Sequence, residues 1–276
     1  MPLCLKIMAS YDETTENRTI IRIDRDGRKE ENDLIVKEHA LTITLSDGEF
    51  VKDRRFVTMF CSPSDIEQLG IGFLLSEDII SSIDDIDDMS ISDDSSEIKF
   101  LLSSSANLAE NLMSKRDITS GCSRNINPYE FLKDLKLDEL SSNIIVSAES
   151  IIQLSNEFQS MSTLYKSTGG THASALCDDK GILIFKEDIG RHNAIDKIFG
   201  ECLLKGINLD DKMILSSGRI SSEILLKVAK RRIPIIISRS APTSMALKFA
   251  DQAGITVVGF ARGVRMNVYS YGYRIG

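Results

Sequence analysis

Residues 186–193 read Lys-Glu-Asp-Ile-Gly-Arg-His-Asn, which crowds two acids, an arginine, a histidine and an asparagine around one glycine. Arg191 and His192 carry donors suited to an anion. If a helix starts here, its free N–H groups add to that site. Asn193 and Asp196 also stand in the N-x-x-D spacing of a plain helix cap. Capping accounts for those two residues but not for Glu187, Asp188, Arg191 and His192 beside them, so a ligand site is expected. Glu187 and Asp188 would then pair with arginine loops or meet the polar edge of the ligand. His192 reads as a ligand contact or a structural group.

Three further segments combine arginine with small polar residues or glycine: Ser216-Ser217-Gly218-Arg219, Ser238-Arg239-Ser240-Ala241-Pro242 and Phe260-Ala261-Arg262-Gly263-Val264-Arg265. Planar guanidinium forks beside backbone N–H groups suit phosphate or pyrophosphate. Taken singly, each is ordinary turn chemistry. Their positions decide whether they act together.

The elements around them predict convergence. Gly181 to Phe185 is a short apolar strand, and from Ala194 the apolar residues Ile195, Ile198, Phe199, Cys202 and Leu203 take helical spacing. Downstream, strands at 212–215, 234–237 and 255–260 alternate with helices at 222–231 and 243–253. Such alternation predicts a parallel sheet with right-handed crossovers. It places the three arginine segments at the C-terminal strand ends, where open α/β sheets bind ligands. Upstream of this unit, Thr168-Gly169-Gly170-Thr171-His172 is a turn-forming tract. A hairpin of 173–177 and 182–185 follows it, and a helix over 147–166 precedes it.

The front of the chain reads as β-rich. Strands are expected at 40–45 and 55–60, and a helix at 64–80 after Ser62-Pro63-Ser64. Ser81 to Glu97 is rich in Ser, Asp and Ile and reads as a solvated connection, followed by one strand at 98–102. Residues 119–125 are small and polar and predict an exposed loop.

The 276 residues carry a net charge of −8 that is unevenly placed. Residues 141–276 hold 17 Lys+Arg and 12 Asp+Glu, while residues 1–140 hold 16 and 29. A basic back half suits an anionic ligand. Basic residues are scattered and aromatics sparse, which disfavours nucleic acid. No apolar stretch approaches a membrane span, and Met1 to Ala9 is too short for a signal peptide, so a cytoplasmic protein with no membrane partner is expected. The five cysteines, Cys4, Cys61, Cys122, Cys177 and Cys202, are odd in number and form no C-x-x-C pair, which argues against a disulfide framework or a zinc knuckle. A zinc deaminase needs H-x-E and P-C-x-x-C; here Ala173 and Ser174 follow His172 and no Pro-Cys pair exists. No metal site is expected.

The motifs TGGTHASAL (168–176), EDIGRHNAIDKIFG (187–200), SSGRISSE (216–223), SRSAPTSMALKFA (238–250) and GITVVGFARGVRMNVYS (254–270) together resemble the formate dehydrogenase accessory sulfurtransferase family, FdhD. SPSDIEQLGIGFLLSEDII (62–80) resembles that family's N-terminal helix more weakly. The resemblance implies an α/β fold: a cytidine-deaminase-like three-layer α/β domain behind a smaller β-rich α+β domain. The expected division is 1–116 for the N-terminal domain, 117–146 for a Cys-containing loop and linker, and 147–276 for the cofactor-binding domain. It also implies a homodimer. Its activity would be a sulfurtransferase that takes persulfide sulfur from a cysteine desulfurase. The sulfur would pass to the molybdenum bis(molybdopterin guanine dinucleotide) cofactor needed by formate dehydrogenase. No catalytic metal is implied, since that cofactor is a bound client.

The resemblance assigns Phe260, Ala261, Arg262, Gly263, Val264 and Arg265 to cofactor binding. The converging loops add Gly169, Gly170, Thr171, His172, Arg191, His192, Asn193, Ser217, Gly218, Arg219, Ser238, Arg239 and Ser240. It places the sulfur on Cys122, in Ser120-Gly121-Cys122-Ser123-Arg124-Asn125. Family members usually carry two cysteines in C-x-x-C spacing there, and here Asn125 stands in the second position. One thiolate still suffices to carry a persulfide, and Lys115, Arg116 and Arg124 nearby would be expected to favour that thiolate modestly. The missing thiol leaves open a non-enzymatic chaperone that binds the cofactor without moving sulfur.

Overall fold

The computed structural model describes residues 13–48, 51–103 and 139–276. Strands β1 (Thr15–Asp24) and β2 (Gly27–Val36) form an antiparallel two-stranded ribbon. Strands β3 (His39–Ser46), β4 (Arg54–Cys61), β5 (Ile86–Ile91) and β6 (Glu97–Leu102) form a second sheet in the order β4-β3-β6-β5. Helix α1 (Ile66–Ser76) follows β4. Strand β5 lies inside the Ser/Asp-rich stretch read as a connection. Its burial alternates too weakly for pattern to reveal it, and pairing with β6 is what forms it.

The back half opens with α2 (Ala148–Met161) and α3 (Thr163–Thr168). The single helix expected over 147–166 is therefore two, broken at Ser162, where ψ is 72°. Ser147 caps α2 by accepting from the Ser150 N–H at 3.0 Å. There follow β7 (His172–Cys177), β8 (Ile182–Asp188), α4 (Arg191–Lys205), β9 (Met213–Ser216), α5 (Ser222–Lys230), β10 (Ile235–Ser238), α6 (Ser244–Ala253), β11 (Thr256–Arg262) and β12 (Arg265–Ser270). These six strands make one sheet in the order β12-β11-β10-β9-β7-β8. Only β9, β10 and β11 run parallel; β7, β8 and β12 are antiparallel to their neighbours. Ala261 to Arg265, expected to follow that strand as a loop, are the end of β11, a turn at Gly263 and Val264, and the start of β12.

Alternation along these strands gives the sheet two apolar faces. Ala173, Ala175, Met213, Leu215, Ile235 and Ile237 pack on Ile151, Leu154 and Phe158 of α2. Their neighbours Leu176, Ile214, Ile236 and Val257 face the other way, onto Ile195, Ile198, Leu225 and Phe249 of α4, α5 and α6. The fold of this half is thus helix, sheet, helices. The second core does not stop at the front half: Leu41, Ile43, Ile98, Phe100, Leu69 and Leu74 belong to the same cluster as α4.

The join is made backbone to backbone. A Cβ at Gly72 of α1 would lie 1.8 Å from the Asp196 carbonyl oxygen, and one at Gly200 of α4 would lie 1.9 Å from that of Gln68. Only glycine at both positions lets α1 and α4 approach this closely.

Candidate functional site

The 186–193 segment is the end of β8, a short turn and the first residues of α4, so strand end and helix start meet as the pattern predicts. Its side chains divide sharply into two groups.

The first group is fully satisfied. Asp188 is completely buried and receives four donors: Lys197 Nζ at 2.7 Å, Gly190 N and Asn193 Nδ2 at 2.8 Å, and Ser62 N at 3.0 Å. Lys197 is equally buried and also donates to the Glu187 carbonyl at 3.3 Å and the Ser62 carbonyl at 3.4 Å. Asp196 accepts from Lys227 Nζ at 2.5 Å and Ser76 Oγ at 2.6 Å. Burial still pushes its carboxyl above the ordinary value, because those partners only partly offset lost hydration. Lys186 lies 2.5 Å from Asp65 and 2.6 Å from Glu201. Glu187 caps α3, accepting from Leu164 N at 3.1 Å and Tyr165 N at 2.9 Å, and from Thr171 Oγ1 at 3.1 Å.

These contacts correct two expectations. Glu187 and Asp188 pair with no arginine loop; one caps a helix and the other balances a buried lysine. Asn193 and Asp196 cap nothing, since both lie inside α4, whose N-cap is Gly190 with no side-chain bond. Asn193 instead ties the turn to the front sheet, donating to the Phe60 carbonyl at 2.9 Å.

The second group is left open. Arg191 lies along Gly218, where an added Cβ would be 3.1 Å from Arg191 Cδ and 3.5 Å from His172 Nδ1. His172 Nδ1 is 3.3 Å from Ser217 Oγ, which accepts from the Ala173 N–H at 3.0 Å. Four buried side-chain polar atoms lack a hydrogen-bond partner among the described residues; they belong to Ser174, Arg191, His192 and Arg231. The first three lie on β7 and on the opening turn of α4, which packs against that strand.

His192 Nε2 is 3.2 Å from Glu223, but the two are not aligned as a hydrogen bond. Glu223 is half exposed, so water screens it. Burial, with Lys227 and Arg191 adding to it, therefore pushes His192 from 6.5 down to about 3. His172 is lowered as well, by burial first and then by Arg191. Both imidazoles are thus neutral near pH 7, so the positive charge at this turn is that of Arg191, with the half-exposed Glu223 beside His192. An uncapped helix start, an unpartnered guanidinium Nε and two neutral rings that can donate suit an anionic oxygen or sulfur.

The candidate residues of β10, β11 and β12 sit in a second cluster joined to the first by Ser238, whose hydroxyl donates to the Gly218 carbonyl at 2.6 Å and accepts from Ser240 N at 2.9 Å. Ser240 accepts in turn from Phe260 N at 3.1 Å. Phe260 holds a left-handed φ of 52° that a non-glycine residue adopts only under local constraint. Arg239 turns toward α2, donating to Ser155 at 3.1 Å and to Gln159 at 2.5 Å. Arg262 donates to the Arg239 carbonyl at 2.5 Å. Arg219, Gly263, Val264 and Arg265 are exposed, and Ala261 is buried in the α2-side core. Gly169 ends α3 with φ 68°, and Gly170 lies against Val36 of β2. The arginine loops therefore share an edge of the sheet, with Arg239 engaged by α2 and Arg191, Arg219, Arg262 and Arg265 left facing outward or unpartnered in part.

The three cysteines among the described residues are buried, and burial pushes Cys61, Cys177 and Cys202 each to about 12. None forms a thiolate near neutral pH. Cys122 and Arg124 lie outside the described residues. Sequence reasoning missed Lys197, Lys227, Ser62 and Ser76 as partners of the site. A lysine on the inner face of an apolar helix was the available signal.

The sequence model of the FdhD/NarQ family matches residues 36–276. Among similar proteins, the "Sulfur carrier protein FdhD" of Bacillus subtilis (strain 168) is 39% identical over 265 residues, covering 96% of this chain and 98% of the relative. The protein of the same name from Listeria innocua is 41% identical over 238 residues, covering 86% and 89%. A crystal structure from Desulfotalea psychrophila, named for a formate dehydrogenase accessory role, superposes with a TM-score of 0.77 at 26% identity. That match covers 95% of this chain and 100% of the other.

Proposed function

The chain belongs to the FdhD/NarQ family, and from that premise we propose that it carries sulfur in the maturation of formate dehydrogenase. Its donor would be a cysteine desulfurase and its client the molybdenum bis(molybdopterin guanine dinucleotide) cofactor. It would act in the cytoplasm as a homodimer, with the cytidine-deaminase-like three-layer arrangement in its back half.

The sulfur assignment rests on the resemblance of residues 120–125 to the family's cysteine loop, and the burial of three other thiols supports it. Cys61, Cys177 and Cys202 are buried and held near 12, so they stay protonated and shielded. Of Cys4 and Cys122, Cys122 stands in the polar, glycine-containing segment beside Arg124. Its thiolate would attack the outer sulfur of the desulfurase persulfide. One S–S bond forms on Cys122, the desulfurase S–S bond breaks, and the desulfurase thiolate leaves. A single thiol then presents its outer sulfur to the client, with no internal disulfide to release it.

The residues at the α4 turn fit the client's charge. A guanine dinucleotide cofactor carries pyrophosphates, and Arg191 with the uncapped helix start offers donors that the protein itself leaves unused. His172, His192, Ser217 and the Gly218 backbone would orient that group, while Ser240 and Phe260 to Arg265 would hold its far side.

The vacant second-cysteine position, Asn125, favours one other reading: a chaperone that binds the cofactor without transferring sulfur. One comparison separates the two. With Cys122→Ala, the sulfur-carrier reading expects loss of formate dehydrogenase activation and unchanged guanosine diphosphate affinity. Normal activation by that variant favours the chaperone.

A further inference from the structure

Phe60 is the single phenylalanine among the strongly exposed apolar side chains of the described residues, at 64% exposure. It sits at the end of β4, an edge strand of the front sheet. Its neighbours Met59 and Cys61 point into the core, so its ring stands on the opposite side, clear of both apolar clusters. Unlike an exposed tyrosine, it has no polar tip to make water a good neighbour. A single exposed phenylalanine needs no explanation by itself. Its location supplies one.

Residues 60–62 are laced to the α4 turn by four hydrogen bonds. Asn193 Nδ2 donates to the Phe60 carbonyl at 2.9 Å, and Ser62 N donates to Asp188 at 3.0 Å. Ile189 N donates to Ser62 Oγ at 3.1 Å, and Lys197 Nζ to the Ser62 carbonyl at 3.4 Å. The backbone of Phe60 is therefore fixed beside the same turn that presents the uncapped α4 start and the unpartnered Arg191 Nε. Fixing that backbone limits where the exposed ring can stand and so lowers the ordering cost of a stack.

We propose that Phe60 is an aromatic platform on which a fused heteroaromatic ring of the ligand stacks, while an anionic group of the same ligand occupies the α4 turn. The inference rests on the anion-binding reading of that turn. It adds a binding residue from the front sheet, which the converging loops of the back half do not include. Base–aromatic stacking tolerates different ring chemistries, since each presents a flat π-face. A purine and a pterin are thus both candidates for the ring.

The chain contains no tryptophan, so Phe60→Trp places a sole tryptophan, excited selectively over the tyrosines, at the proposed contact. The probes are guanosine diphosphate, 6-hydroxymethylpterin and inorganic pyrophosphate, with affinities measured in parallel by calorimetry. The expected result is quenching of the tryptophan by at least one of the two ring-bearing probes and not by pyrophosphate. Phe60→Ala should weaken that same probe by roughly ten- to a hundred-fold, the scale of one lost stack, and leave pyrophosphate affinity unchanged. Which probe responds identifies the ring. Emission unmoved by either ring-bearing probe while guanosine diphosphate binds, or equal affinities for wild type and Phe60→Ala, would overturn the platform alone. Failure of wild type to bind nucleotide and pyrophosphate alike would overturn the anion site and the platform with it.

Discussion

Two sides of one helix start differ in a single respect. On the inner side of α4, Asp188, Asp196 and Lys197 are buried and have partners at hydrogen-bond distance. On the outer side, Arg191 and His192 keep buried nitrogens with no aligned partner. Burying a polar group costs free energy unless it is bonded. The inner groups repay that cost within the fold and hold two sheets together. The outer ones do not, and the proposed anion site rests on that difference. Charged residues a few positions apart are thus partnered or left open according to which face of the helix they occupy.

The largest effect expected from breaking this contrast is on the inner side. Lys197→Met strands the Asp188 carboxylate in the core and should cost about 3–5 kcal/mol, read from urea unfolding. A loss under about 1 kcal/mol would mean that the pair is not the buried anchor described. Next comes the interlock of α1 and α4. Gly200→Ala drives a methyl into the Gln68 carbonyl and should cost about 1–3 kcal/mol or more, with the helices forced apart. An unchanged midpoint would show that the helices slide freely.

The outer side should respond in binding rather than folding. Arg191→Ala is expected to weaken guanosine diphosphate by roughly 1–3 kcal/mol while stability changes by less than about 1 kcal/mol. Arg265→Ala should weaken it on the same scale. If calorimetry finds both affinities unchanged, the anion lies elsewhere.

The smallest effect is a slope. His192 titrates at about 3 in the fold, against 6.5 ordinarily. Between those values the unfolded chain binds a proton that the native state refuses, so stability rises with pH across that window and levels off above it. His172 is shifted in the same direction and adds to the slope. His192→Gln should flatten the rise in melting temperature between pH 4 and 6.5. An equally steep rise in the variant would mean that the ring is not buried neutral.

Much of the architecture could be read from pattern. The alternation that placed strands at 212–215, 234–237 and 255–260 reflects burial on both faces, a strong and local signal. Strand β12 escaped because it lies at a sheet edge with only Ser270 buried, so the alternation of Met266 and Val268 with Arg265 and Asn267 is short and weak. The break at Ser162 escaped because its cause is distant: Glu187 caps the second helix from 22 residues away.

The candidate site was legible as a cluster and illegible as a division of labour. Composition alone showed that residues 186–193 were crowded with polar groups. Which of them faced inward depended on Ser62 and Ser76, more than a hundred residues away, and on two glycines whose close contact no propensity encodes.

The central claim is that one thiol, Cys122, carries sulfur while the buried cysteines do not. The direct test is mass spectrometry of the protein after incubation with a cysteine desulfurase and cysteine, beside a Cys122→Ala control. A gain of one sulfur mapped to Cys122 and absent from the control is the predicted result. No gain, or a gain retained in the control, would contradict it.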